Sequence, residues 1–176
     1  MPVQEGEYCG FETNIEDPGI LVVTFNRPES LNASTAAMKR DLVELLTQTQ
    51  MDDTIRIVVF TGRGQAFWAG DDLKGYGGDS VQVPPIHHGH HNPSGTYNGL
   101  RTISQAVNTA VRNLDKISIA AINGFAIQTG FSLALACDFR IASRSAKLGS
   151  ATLRFGLLPD EGGQWLLVQH LGVAKA

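Results

Sequence analysis

Two short segments carry residues whose types and spacing could do chemistry. One is Gln65-Ala66-Phe67-Trp68-Ala69-Gly70-Asp71-Asp72-Leu73-Lys74, just after the apolar run IVVFTG. The other is NGFAIQTGFSLALACDFRIAS, residues 123–143, directly after ISIAAI. Each leads from a β-branched stretch into a turn of small residues and on toward a helix. Such turns expose backbone N–H groups, and a helix N-terminus adds a dipole that favours negative charge. Two of them converging can hold a carbonyl oxygen as it becomes an oxyanion or enolate. The same junctions are common in α/β proteins, so the pattern alone also suits a purely structural role.

A different chemistry is offered by His87, His88, His90 and His91, four of the chain's five histidines. Imidazole titrates near neutral pH, so one of them can serve as an acid or base. Metal binding is a second reading, but adjacent histidines among Gly and Pro have no fixed ligand geometry, and no metal site is expected. Incidental enrichment in a loop is the third.

The elements that must position these residues are legible as apolar runs. ILVVTFN (20–26), IRIVVFT (55–61) and ISIAAI (117–122) read as buried strands, each bounded by Gly, Pro or Asn. Ser34 or Thr35 can cap a helix in which Met38, Leu42, Leu45, Leu46 and Thr49 share one face. A second helical period covers roughly 101–114, a further helix is predicted near 130–137, and QWLLVQHLGVAKA reads as an amphipathic segment. Short strands are predicted at Phe139–Ser143 and Ala146–Gly149. Strands that are continuously apolar and alternate with helices predict an α/β fold with its strands covered on both faces. Between Gly75 and Gly99 the pattern fails, which predicts a long flexible loop.

Composition narrows the function classes. The chain has 176 residues, 43% hydrophobic and 18% charged, which suits one globular domain spanning residues 1–176. A net charge of −3 gives no support for nucleic-acid or anionic-membrane partners. Cys9 and Cys137 are the only cysteines, so a disulfide framework is not expected. No basic segment precedes an apolar run at the N-terminus, and no run is long enough to span a bilayer. A cytoplasmic location is expected.

Four segments in order, NRPESLNA (26–33), AFWAGDDLK (66–74), AINGFAIQTGFSLALACDFRIAS (121–143) and FGLLPDEGG (155–163), closely resemble the crotonase family, the enoyl-CoA hydratase/isomerase superfamily. The resemblance implies a spiral of ββα units, cut short before the family's C-terminal helical region. It implies an acyl-CoA thioester as substrate, with coenzyme A arriving as part of that substrate and no permanently bound cofactor. It also implies a homotrimer or hexamer. The family's oxyanion hole falls on the backbone N–H groups of Asp71 and Thr129. Positions that line the coenzyme A site in relatives fall on Arg27, Ala69, Leu73 and Lys74, although by itself Lys74 reads as an ordinary solvated lysine.

The resemblance breaks at the acid/base groups. The two glutamates that hydratases of the family use to activate water match Ser132 and Thr152 here, and neither can be a carboxylate base. Asp160 and Glu161 are the replacements: some relatives, isomerases and a dehalogenase among them, use an aspartate matching Asp160, and diketone-cleaving relatives use an acid matching Glu161. Without the resemblance the pair reads as a Pro-Asp turn before an acidic helix start. The expected activity is therefore isomerisation or hydrolysis of an acyl-CoA rather than two-glutamate hydration. The competing expectation is an inactive member that binds acyl-CoA or serves oligomer assembly. Tyr76 and Trp68 can line the acyl site, with core packing equally open to Trp68, while Phe131 and Cys137 read as core. Leu166, Leu167 and Leu171 are expected to be exposed and to need a partner surface.

Overall fold

In the computed structural model, residues 3–72, 92–156 and 158–176 are described. The chain begins as an antiparallel ribbon, β1 (Gly6–Tyr8), β2 (Phe11–Glu16) and β3 (Ile20–Phe25), followed by helix α1 (Ala36–Gln50). Thr35 caps α1 by accepting a hydrogen bond from the Met38 amide, and Met38, Leu42, Leu45, Leu46 and Thr49 are its buried residues along with Lys39.

Three units then repeat one plan. β4 (Ile57–Gly62) and β5 (Ala66–Trp68) lead to α2 (Pro93–Gly99), a π-helical turn at Leu100–Ser104 and α3 (Gln105–Arg112). β6 (Ile117–Ile122) and β7 (Phe125–Ile127) lead to α4 (Thr129–Ala136); β8 (Phe139–Ala142) and β9 (Lys147–Gly149) lead to α5 (Gly163–Leu171). The first strand of each unit joins one sheet, ordered β1-β2-β3-β4-β6-β8, and the second joins a small parallel sheet, β5-β7-β9. This is the expected spiral of ββα units. The corner after β6 is tight: a Cβ at Gly124 would lie 1.9 Å from the Gln65 carbonyl oxygen, so only glycine lets the backbones approach this closely.

The core lies between the large sheet and helices α1, α3 and α4, around Phe25, Phe60, Phe67 and Trp68. Trp68 is fully buried and donates from Nε1 to the Gly70 carbonyl at 3.1 Å, which makes it a core residue rather than a pocket wall. Cys137 is buried and Phe131 is partly buried against the core.

Three expectations are corrected. Residues 93–99 form a helix instead of loop, because Asn92 caps it, accepting from the Gly95 amide at 2.9 Å, and Pro93 suits its first turn. Leu166 is only 3% exposed, since α5 packs across α4; Leu167 is partly buried and Leu171 remains exposed. The strands are not all covered on both faces: every residue of β8, at the sheet edge, is exposed, including Phe139 and Ile141. Among the described residues no helix is long and apolar enough to cross a membrane.

Candidate active site

The small parallel sheet brings the two junctions together. β5 and β7 are neighbours, with Trp68 opposite Ala126, so the turns that follow them leave the sheet side by side. α4 starts directly over the end of β5, and a Cβ at Gly130 would lie 2.0 Å from the Trp68 carbonyl oxygen. Past β5 the backbone bonds to one side, with Ser34 N–H donating to the Gly70 carbonyl and Asp72 N–H to the Ser34 carbonyl, both at 2.9 Å. Successive peptide groups of an extended chain point to opposite sides, so the Asp71 N–H faces away from Ser34. Thr129 is the first residue of α4, where an N–H has no intrahelical acceptor. The two expected oxyanion donors are thus adjacent, and their side chains touch: Thr129 Oγ1 donates to Asp71 Oδ1 at 3.2 Å.

The turn at α4 is unusual for its residue type. Gln128 has φ 53°, ψ −109°, a conformation that favours glycine. Replacing Gln128 by glycine is expected to raise stability by about 1 kcal/mol, the relief of strain exceeding the added chain entropy. A urea midpoint that moves down instead would show that the Gln128 side chain, which accepts from Ser150 Oγ at 3.0 Å, is worth more than the strain.

Asp71 is the centre of a charged cluster. Its Oδ1 accepts from Ser34 Oγ at 2.8 Å and pairs with Lys39 Nζ at 2.7 Å. Lys39, from α1, also pairs with Glu161 Oε1 at 3.0 Å and donates to Ser104 Oγ at 3.0 Å. Lys39 and Glu161 are 3% and 4% exposed, so this is an interior ion cluster. Burial by itself would lower the Lys39 pKa, but Glu161 and Asp71 outweigh it and hold the ammonium above the usual lysine range. Burial pushes the Glu161 carboxyl up, and the nearby charge of Asp71 adds to this, against the pulls of Lys39 and the Thr129 hydroxyl. Asp160 is half-buried; burial, and after it the charge of Asp71, raises its carboxyl above the aspartate range against opposing pulls from its own backbone amide and Lys39.

The Asp160–Glu161 pair is held from α3. Gln105 Nε2 donates to the Asp160 carbonyl at 2.7 Å and Asn108 Nδ2 to the Glu161 carbonyl at 2.8 Å. The amides are one helical turn apart and grip consecutive peptide groups. A groove of about 680 Å³ opens between α3 and α5 beside them.

Ser132 and Thr152 are buried hydroxyls outside this cluster. Ser132 lies under the start of α5, where a Cβ at Gly163 would come within 2.5 Å of its Oγ, and Thr152 is 2.9 Å from Ser150. Arg27 pairs with Asp72 Oδ2 at 2.9 Å and donates to the Ala33 carbonyl, while Ala69 N–H donates to the Leu31 carbonyl at 3.1 Å. Leu73, Lys74, Tyr76 and the four histidines lie outside the described residues. Sequence reasoning missed Lys39, Gln105 and Asn108. A signal existed for Lys39: it sits on α1 between Met38 and Leu42 on the apolar side, where an ammonium requires partners.

Comparison with known proteins agrees with this architecture. The enoyl-CoA hydratase/isomerase family model matches residues 16–176. The chain is 39% identical over 164 residues to 1,2-epoxyphenylacetyl-CoA isomerase of Escherichia coli K12, covering 91% of this chain and 58% of that protein. An enoyl-CoA hydratase of Bacillus anthracis superposes with a TM-score of 0.81 at 31% identity, over 95% of this chain and 60% of its own. A Thermobifida fusca YX protein solved with acetoacetyl-CoA superposes with a TM-score of 0.79 at 32% identity, over 94% and 63%. This chain therefore spans about half to three-fifths of the length of the curated relatives it matches. With the ββα spiral, the paired junctions and these likenesses together, the chain belongs to the enoyl-CoA hydratase/isomerase family.

Proposed function

We propose that this protein binds an acyl-CoA thioester, holds its carbonyl oxygen on the Asp71 and Thr129 amides as an enolate forms, and uses Asp160 to move the proton. The observation that carries this reading is that the turn after β5 and the start of α4 meet, with Thr129 Oγ1 3.2 Å from Asp71 Oδ1, beside two carboxyls of raised pKa, Asp160 and Glu161. An oxyanion next to the Asp71 carboxylate would be repelled if that charge stood alone. Lys39 offsets it at 2.7 Å, leaving the amide dipoles to act on the substrate.

The two acids take different roles. Glu161 is tied to Lys39 and fully packed, so it balances charge and shapes the site. Among the described residues no cation pairs with the Asp160 carboxylate, which lines the groove, and its raised pKa suits a group that takes and returns a proton. With hydroxyls at Ser132 and Thr152, water activation by paired carboxylates has no base, so the reaction is isomerisation through the enolate, with hydrolysis next. Arg27, Ala69, Leu73 and Lys74 make the coenzyme A side. The exposed apolar residues of edge strand β8 support self-association into a trimer or hexamer. The free thiols Cys9 and Cys137 agree with a cytoplasmic setting.

The test is deuterium exchange at Cα of crotonyl-CoA and 3-enoyl-CoA in heavy water, run beside calorimetric binding. Exchange and double-bond migration are the expected result. Micromolar binding with no exchange would leave a binding or assembly protein, the reading favoured by the strained Gln128 and the two hydroxyls.

A further inference from the structure

The groove of about 680 Å³ between α3 and α5 carries opposite charges at its two ends. One face of α3 makes its first wall, with Gln105, Thr109 and Arg112, and Pro159, Asp160 and Trp165 stand on the other. At the inner end Asp160 is half-buried, its carbonyl held by Gln105 at 2.7 Å. At the outer end Arg112 is exposed, in the last turn of α3 and two turns on from Gln105, about 10 Å along the helix axis. Side chains on a helix lean toward its N-terminus, which here is the direction of Asp160.

Arg112 is the one cationic side chain lining the groove, and among the described residues it forms no ion pair and no side-chain hydrogen bond. Its charge acts on Asp138 at longer range, but Asp138 Oδ2 accepts from the Ser118 amide and hydroxyl at 2.8 and 2.7 Å. The guanidinium therefore presents its fork of N–H donors to solvent at the mouth of the groove, the geometry that takes a carboxylate through two parallel bonds. Trp165, 57% exposed, and Pro159 give the facing wall an apolar surface for methylene groups. Substrate that reaches the Asp160 carboxylate enters this groove, because Asp160 lines it.

We infer that the groove between α3 and α5 receives the acyl tail and selects thioesters of dicarboxylic acids, with the free carboxylate at the far end of the tail pairing with Arg112. This rests on the acyl-CoA reading above and adds the substrate class to it. The order of charges sets the direction of the tail: a carboxylate at the inner end meets Asp160 and is repelled, and one at the outer end meets Arg112 and is held. A plain alkyl tail leaves Arg112 to water. Since Arg112 is open to solvent, the gain is moderate and weakens with salt.

The test is calorimetric affinity of the full chain, at low salt, for adipyl-, pimelyl- and suberyl-CoA beside hexanoyl-, heptanoyl- and octanoyl-CoA. Each pair shares its length and its coenzyme A part, so the difference reads the end of the tail. At least one dicarboxylyl thioester is expected to bind roughly fivefold or more tighter than its alkyl counterpart, a preference that shrinks as salt rises. Arg112→Gln is expected to bring that pair within about twofold by weakening the dicarboxylyl member. Arg112→Glu is expected to reverse the preference, favouring 6-trimethylammoniohexanoyl-CoA over adipyl-CoA. Equal affinity within every pair, or a preference that survives Arg112→Gln, overturns the inference and leaves the acyl-CoA reading intact. So does an equal loss for both members of a pair in Arg112→Gln, which would set Arg112 on the coenzyme A phosphates. Failure of every thioester to bind overturns both.

Discussion

Asp160→Asn is expected to lower enolate exchange at Cα by roughly 10²–10⁴-fold while thioester affinity changes by no more than a few fold, because the substitution removes the proton carrier and keeps the shape. The matching control, Glu161→Gln, is expected to act differently, weakening the fold through its lost partner before it touches the chemistry. The pH profile separates the roles further. A base must be ionised, and burial holds the Asp160 carboxyl above the ordinary aspartate range, so the acid limb of activity lies above the pH of about 4 at which a free aspartate would titrate. Asp160→Asn should remove that limb from whatever activity remains. The sign for stability is opposite. A carboxyl whose pKa is raised in the folded state binds its proton more tightly there, so its contribution to folding is full below the unfolded value and is lost as pH rises through the folded one. An acid limb unmoved by Asp160→Asn would assign the proton to another group.

Lys39→Met has the largest expected effect on stability. It keeps the length of the side chain and removes the cation that pairs with both Asp71 and Glu161, leaving a buried carboxylate without that partner. Breaking a buried pair in this way costs about 3–5 kcal/mol. Urea unfolding followed through the buried Trp68 would read the loss as a lower midpoint with little change in slope. Adding Glu161→Gln to Lys39→Met is expected to recover a large part of it, since the orphaned charge goes too. If the double variant is no more stable than Lys39→Met alone, the cluster is not an ion pair in the energetic sense. Because the Lys39 pKa is raised, its contribution should be fully present below the unfolded lysine value near pH 10 and fade as pH rises through the folded one.

The two variants also bear on how the site works. On the proposed reading Lys39 does not touch substrate; it offsets the charge of Asp71 beside the oxyanion site. Its loss should therefore lower the rate of exchange in whatever fraction stays folded, and a raised KM alone would not fit.

Much of this architecture was legible along the chain. The strands at 20–26, 55–61 and 117–122 form close to where continuous apolar runs place them, and Thr35 caps α1 as its side chain allows. These features depend on neighbours in sequence, through periodicity, capping and turn chemistry. β5 and β7 were not legible as strands, because three residues are too few for a period to show, and they exist by pairing with each other. The ordered segments with Asp71, Thr129, Asp160 and Glu161 were sufficient to point to a family and to an oxyanion site built from backbone. Backbone donors survive changes of side chain, which is why Gln128 and Thr129 could replace small residues without erasing the signal.

What surrounds the Asp71 and Thr129 amides was set by packing across the fold. Lys39 meets Glu161 across 122 residues of sequence, and Gln105 and Asn108 reach Asp160 and Glu161 across 55 and 53. No local rule links such positions: each contact exists because α1, α3 and the segment before α5 are packed around the end of the small sheet. That acids and amides are available is written along the chain; the packing set which acid is clamped by a cation, Glu161, and which stands half-buried beside the groove, Asp160. Proton affinity depends on burial and on charges a few ångströms away, and those distances are properties of the folded chain alone.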